Sequence, residues 1–130
     1  MLPIRDVGIS MLPTYQQSSV HFVNRLAYLF HGPRRGDVVA IRLLAGPHVM
    51  YLKRIVGLPG ETVAFRDGKL LINGKALDEP YVREPCDWDL PPEKIPLGQY
   101  YVVGDNRSMP AEDHTKGRVE RRLIIGKVFR

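Results

Sequence analysis

Short apolar runs broken by turn residues dominate this chain, and they predict strands. Residues 37–44, DVVAIRLL, follow Gly36 and predict one strand; residues 49–57, VMYLKRIVG, rich in β-branched and aromatic side chains, predict another. After an LPGE turn at 58–61, the segments TVAFR, KLLI and KALD are separated by Asp67-Gly68 and Asn73-Gly74. These dipeptides are preferred centres of type I′ hairpin turns, because both positions tolerate positive φ, so a β-meander is expected here. QYYVV at 99–103 predicts a strand entering the turn GDNRS, and RRLIIGKVF near the C-terminus predicts a short turn and a last strand. VHFVNRLAYLF at 20–30 reads as a strand with a bend. The proline-rich residues 79–98 predict a loop with little regular structure, long enough to be either functional or mobile. The expected fold is mainly β: one compact domain over 1–130 of short antiparallel strands and hairpins, Greek-key-like or barrel-like.

Composition narrows the chemistry. A hydrophobic content of 44% excludes wholesale disorder. Cys86 is the one cysteine, which excludes an internal disulfide and a cysteine-based zinc cluster. His21, His31, His48 and His114 do not fall at an HxxxH spacing, and neither a P-loop nor an EF-hand is present, so no metal or cofactor is expected. The net charge of +5 suits a negative partner, either nucleic acid or an anionic membrane surface. No run approaches the roughly 20 apolar residues that span a bilayer.

Two residues stand out. In GISMLPTY, Pro13 pushes Leu12 toward extended geometry, which places Ser10 on an ordered loop or strand edge. Such a serine is an ordinary turn residue or a nucleophile, depending on whether a base exists elsewhere. His31 and His48 read as exposed loop histidines. Lys53 is different, because it sits mid-strand among Met50, Tyr51, Leu52, Ile55 and Val56. Alternation puts Tyr51, Lys53 and Ile55 on one face and Leu52, Arg54 and Val56 on the other, so if one face is core, Lys53 or Arg54 must be partly buried or paired. Apolar burial strips the hydration of an ammonium and favours the neutral amine, and a Ser-Lys pair is a recognised variant of triad chemistry.

SMLPT (10–14), RRGDVV (34–39), YLKRIVGLPGETV (51–63) and GDNRS (104–108) occur in this order, with IIGKV toward the C-terminus. Together they strongly resemble the type I signal peptidases, membrane-bound Ser/Lys endopeptidases that remove signal peptides from exported proteins. The resemblance implies a signal-peptidase-like β fold, Ser10 as nucleophile and Lys53 as general base, with no metal or cofactor. It implies an oxyanion hole using the Ser10 backbone N–H. Gly8 stands where some members carry an assisting hydroxyl. Met11, Tyr51 and Leu52 are expected to line the shallow pocket for the small residue before the scissile bond of an Ala-X-Ala-like site.

The block at 104–117 departs from the family's pattern. Asp105, Asn106, Arg107 and Gly117 are retained, but Pro110 replaces the serine that normally hydrogen-bonds the lysine. Glu112, Asp113 and His114 stand on the positions of an acid, a serine and an arginine. Asp105, Arg107, Glu112 and Asp113 are therefore expected to scaffold the lysine. The implied partners are preprotein signal peptides and the lipid surface of the bacterial cytoplasmic membrane, on its extracytoplasmic side, with no nucleic acid. Family members carry transmembrane helices before the serine, so the expected anchor is missing from this chain. Rival readings are a related Ser/Lys maturation peptidase, of conjugation or self-cleaving-repressor type, and a basic β-barrel module that binds nucleic acid. The aromatics lie mostly in apolar strand runs rather than among basic residues, which disfavours the last.

Overall fold

Buried faces, rather than local propensity, organise the strands. The computed structural model describes residues 2–5, 20–42, 50–82, 86–107 and 116–129. Eleven strands are found among them: β1 (Leu2–Arg5), β2 (Val20–Asn24), β3 (Val38–Arg42), β4 (Met50–Gly57), β5 (Thr62–Arg66), β6 (Lys69–Ile72), β7 (Lys75–Ala76), β8 (Leu90–Lys94), β9 (Gln99–Val103), β10 (Gly117–Glu120) and β11 (Ile124–Phe129). They form a seven-stranded sheet in the order β1-β2-β11-β3-β4-β9-β10 and a four-stranded sheet in the order β7-β6-β5-β8. All strand pairs are antiparallel. The last strand inserts between β2 and β3, so the large sheet is closed by chain ends distant in sequence.

The unbroken apolar run of β3 reflects burial on both faces. Val38 and Ala40 pack with Val23, Leu52 and Val128. Val39 and Ile41 pack on the other side with Ile55, Val102, Val119 and Ile124. A third cluster joins the sheets: Val56, Tyr101 and Val103 of the large sheet meet Val63, Phe65, Leu70 and Ile72 of the small one, with Trp88 and Ile95 between. Phe65 and Trp88 meet edge to face at 5.1 Å between ring centroids. Gly57 is closely enclosed by side chains of this third cluster. A Cβ there would lie 2.7 Å from Val63 Cγ2 and 2.9 Å from Tyr101 Cβ.

Both predicted hairpins form as expected. Asp67 and Gly68 have φ of 50° and 79°, and Asn73 and Gly74 have 52° and 83°, the double positive φ of type I′ turns. The expectation of little regular structure over 79–98 is corrected by β8, Leu90–Lys94, which pairs with β5. Its sequence, LPPEK, is an unlikely strand by composition. It is possible because β8 is an edge strand, where the missing proline donors need not bond a second neighbour. β1 and β10, also edge strands, were not foreseen; in β10 only Val119 is buried.

Arg35 ties the start of β3 to the turn after β4. Its Nη1 donates to the Val56 carbonyl at 2.9 Å, and Nη1 and Nη2 donate to the two carboxylate oxygens of Glu61 at 2.7 Å each. The Leu58 backbone N–H also donates to Glu61 Oε1 at 2.7 Å. The bond from Arg35, helped by that from Leu58, holds the Glu61 carboxyl below its ordinary range against the opposing effect of burial. The unfolded chain therefore binds this proton more readily than the folded one. Its stabilisation is complete above the ordinary carboxylate pKa and is lost as pH falls through the depressed folded value. Glu61→Gln is expected to flatten the rise of stability with pH across roughly pH 3 to 5, near the unperturbed Glu value. Urea unfolding at a series of pH values measures it, and an unchanged slope contradicts the assignment.

Candidate active site

β4 resolves the problem posed by two adjacent cations in one apolar strand, because its faces treat them differently. Lys53 pairs across the sheet with Val39 and is only 3% exposed. On its face Tyr51 is partly exposed, with the Lys53 Nζ 5.9 Å from the ring centroid, while Ile55 is fully buried. Lys53 and Tyr51 help line a cavity of about 490 Å³, whose walls include Ile41, Val102, Glu93 and Lys116. Arg118 and Glu120 also line it, so the pocket wall is mixed, with apolar side chains interleaved with charged ones.

On the opposite face Arg54 is held from three sides. Its Nε and Nη2 donate to the two Asp105 carboxylate oxygens at 2.8 and 2.7 Å, and Nη1 donates to the Gly36 carbonyl at 2.7 Å. The Tyr81 ring covers the guanidinium, its centroid 3.9 Å from Cζ. Asp105 is fully buried. Two residues on, Arg107 is 1% exposed. Its Nε donates to the Gly104 carbonyl at 2.7 Å, and its Nη1 and Nη2 donate to the Glu79 carboxylate at 3.0 and 2.7 Å.

These contacts place the residues singled out from sequence. Tyr51 and Lys53 share the pocket. Leu52 faces away from it, into the cluster with Val23, Val38, Ala40 and Val128. Asp105 and Arg107 are buried and paired, with Asp105 bonded to the residue directly after Lys53. Gly8, Ser10, Met11, Glu112 and Asp113 lie outside the described residues, as do Pro110 and His48. Glu79 and Tyr81 were missed, having been read only as part of a proline-rich loop. The available signal was indirect: a buried arginine such as Arg107 requires a carboxylate partner.

No group of three or more His, Cys, Asp or Glu side chains suited to hold a metal ion occurs among the described residues. No helix among them is long and apolar enough to cross a membrane.

Asp105→Ala would leave the Arg54 guanidinium buried without its bidentate acceptor. Breaking one side of such a buried pair costs about 3–5 kcal/mol. Chemical denaturation of the variant is expected to show a loss of that order, and a loss below about 1 kcal/mol, the level of a surface pair, would contradict it.

The signal peptidase family, peptidase S26, matches this chain over residues 1–130. Signal peptidase I of Leptolyngbya laminosa is 39% identical over 125 residues, covering 91% of this chain and 62% of that protein. Probable signal peptidase I-2 of Synechocystis sp. is 35% identical over 125 residues, covering 92% of this chain and 57% of its own length. Signal peptidase I V of Bacillus subtilis is 34% identical over 136 residues, covering 93% and 79%. The chain thus spans less than two thirds of the length of the first two relatives. The crystal structure of a signal peptidase I from Enterococcus faecalis V583 superposes with a TM-score of 0.61 at 30% identity, covering 75% of this chain and 97% of that one. The mainly β fold expected from the hairpin pattern is a signal peptidase I-like fold, and the chain belongs to the signal peptidase family, peptidase S26.

Proposed function

We propose that residues 1–130 form the catalytic domain of a serine endopeptidase that removes N-terminal signal peptides from exported preproteins, cleaving after small residues in Ala-X-Ala-like sites. The observation that carries this reading is the burial of Lys53, 3% exposed in an apolar strand at the wall of a pocket, in a chain of the signal peptidase family. Burial disfavours an ammonium, and a neutral amine is the form able to take a proton.

In this mechanism the Lys53 amine accepts the Ser10 hydroxyl proton as Oγ attacks the scissile carbonyl. The Ser10 backbone N–H, with Gly8 nearby in sequence, stabilises the developing oxyanion. The C–N bond then breaks, the leaving amine takes the proton from the Lys53 ammonium, and the signal peptide remains as an ester on Ser10. Water, deprotonated by Lys53, releases it. Met11 and Tyr51 shape the recess for the small residue before the cleaved bond, while Leu52, expected to join them, packs into the core behind the strand. Asp105, Arg107, Glu112 and Asp113 support the lysine.

The reading places this chemistry at the extracytoplasmic surface of a bacterial cytoplasmic membrane. Leu26, Leu29 and Phe30, in the turns after β2, are 68%, 65% and 97% exposed, and the exposed Arg25 and Arg34 flank them in sequence. Apolar side chains next to cations suit an anionic bilayer surface.

Incubation with a preprotein in detergent or lipid, with the new N-terminus sequenced, tests the activity. Ser10→Ala and Lys53→Ala are expected to abolish cleavage while keeping the fold, and normal turnover in either would refute the mechanism. The membrane contact has its own test in sedimentation with anionic vesicles. Exposing a serine in place of Phe30 removes an apolar group worth about 1.5–3 kcal/mol on burial, so Phe30→Ser should weaken vesicle binding about tenfold or more. Equal binding by the variant would exclude this turn as a lipid contact.

A further inference from the structure

We infer that Glu79 and Tyr81 are positioning residues for Lys53, clamping β4 and the Gly104–Arg107 turn against each other from the side of the strand opposite the pocket. This rests on the reading of Lys53 as the general base.

The segment carrying them leaves the small sheet after β7, where the Leu77 N–H donates to the Leu70 carbonyl at 2.9 Å. It then turns, with the Val82 N–H donating to the Glu79 carbonyl at 3.1 Å. From this turn two side chains reach the large sheet. Glu79 takes the two Arg107 nitrogens, and the Tyr81 hydroxyl donates to Glu79 Oε2 at 2.7 Å. The Tyr81 ring then lies on Arg54, whose other bonds run to Asp105 and Gly36.

Two guanidinium–carboxylate pairs, Arg54–Asp105 and Arg107–Glu79, are thus joined twice, through the turn from 105 to 107 and through Tyr81. The acids and arginines balance in charge. Burial, reinforced by the Glu79 carboxylate, holds the Tyr81 phenol well above its ordinary range, so it remains a donor. A planar guanidinium accepts a ring on its face while its edge bonds carboxylates, so the stack and the ion pair act on Arg54 together. Arg54 follows Lys53 directly in β4. Any shift or twist of the strand that Tyr81 prevents would be carried to the Lys53 amine on the other face, and a misplacement of about 1 Å in a reacting group can cost on the order of 100-fold in rate.

The test compares Tyr81→Ala, Tyr81→Phe and Glu79→Gln in preprotein cleavage. Rates are normalised to folded enzyme by near-ultraviolet circular dichroism, with Lys53→Met as the control. Tyr81→Ala is expected to lower kcat about 10- to 100-fold, with KM changed by less than about threefold. Tyr81→Phe, which keeps the ring on Arg54, is expected to recover most of that loss, and Glu79→Gln to fall between the two. Wild-type kcat in folded Tyr81→Ala and Glu79→Gln overturns the inference, as does a loss confined to KM or one that Tyr81→Phe does not recover. If Tyr81→Ala does not fold, the same criteria apply to Glu79→Gln and Tyr81→Phe, and failure of every variant to fold assigns these residues to stability alone and overturns the inference. An active Lys53→Met instead overturns the proposed function, which separates the two failures.

Discussion

The guanidinium of Arg54 is the constraint around which the rest is arranged. A cation in a strand whose neighbours are core residues must be matched, because the cost of removing an ion from water is several kcal/mol. Here the match comes from a fully buried carboxylate 51 residues away, a carbonyl before β3 and an aromatic ring from the segment after β7. Three segments that share no local sequence are thereby fixed to one atom group. Strand geometry does the rest. Side chains alternate, so fixing Arg54 to one face of β4 fixes Lys53 to the other, and a one-residue slip in register would exchange them. The pocket face therefore inherits its geometry from contacts made on the opposite face.

A second arginine reinforces the same strand from its other end. Arg35 bonds the Val56 carbonyl and the Glu61 carboxylate, so the segment before β3 grips β4 where it leaves the sheet, while Arg54 grips the segment before β3 through Gly36. The two arginines come from different sequence blocks and cross-link them reciprocally. The blocks RRGDVV, YLKRIVGLPGETV and GDNRS are far apart in the chain, yet they form one connected polar frame around a single strand.

What was legible in the sequence was local. Asp67-Gly68 and Asn73-Gly74 announced their turns because the requirement for positive φ is written in two adjacent residues. The tension between Lys53 and Arg54 was visible because strand alternation has period two. Its resolution was not, because the partners of Arg54 and Arg107 lie 51 and 28 residues away and sequence periodicity carries no information at that range. The strand in LPPEK was hidden for a related reason: only its place at a sheet edge, a tertiary property, makes two prolines tolerable. Of the candidate site, the strand pattern showed that Lys53 and Arg54 take opposite faces, but not which of the two lines a pocket. Leu52 faces the core because it alternates with Lys53, as the same pattern predicts. The roles of Ser10, Gly8, Met11, Glu112 and Asp113 rest on motif resemblance alone, since they lie outside the described residues.

The charge balance takes a different meaning once the pairs are known. Glu61, Glu79 and Asp105 are all committed to arginines within the fold. Each such pair is neutral, so the formal excess of +5 is carried by the remaining groups, and the field outside the molecule is theirs. Arg25 and Arg34 are exposed beside a turn that also exposes Leu26, Leu29 and Phe30. A base-stacking surface for nucleic acid would interleave aromatics with cations along a groove. A bilayer asks instead for a projecting apolar tip with cations at its rim. Under the proposed function, the exposed apolar side chains of this turn and the cations beside them are the groups that would meet an anionic lipid surface.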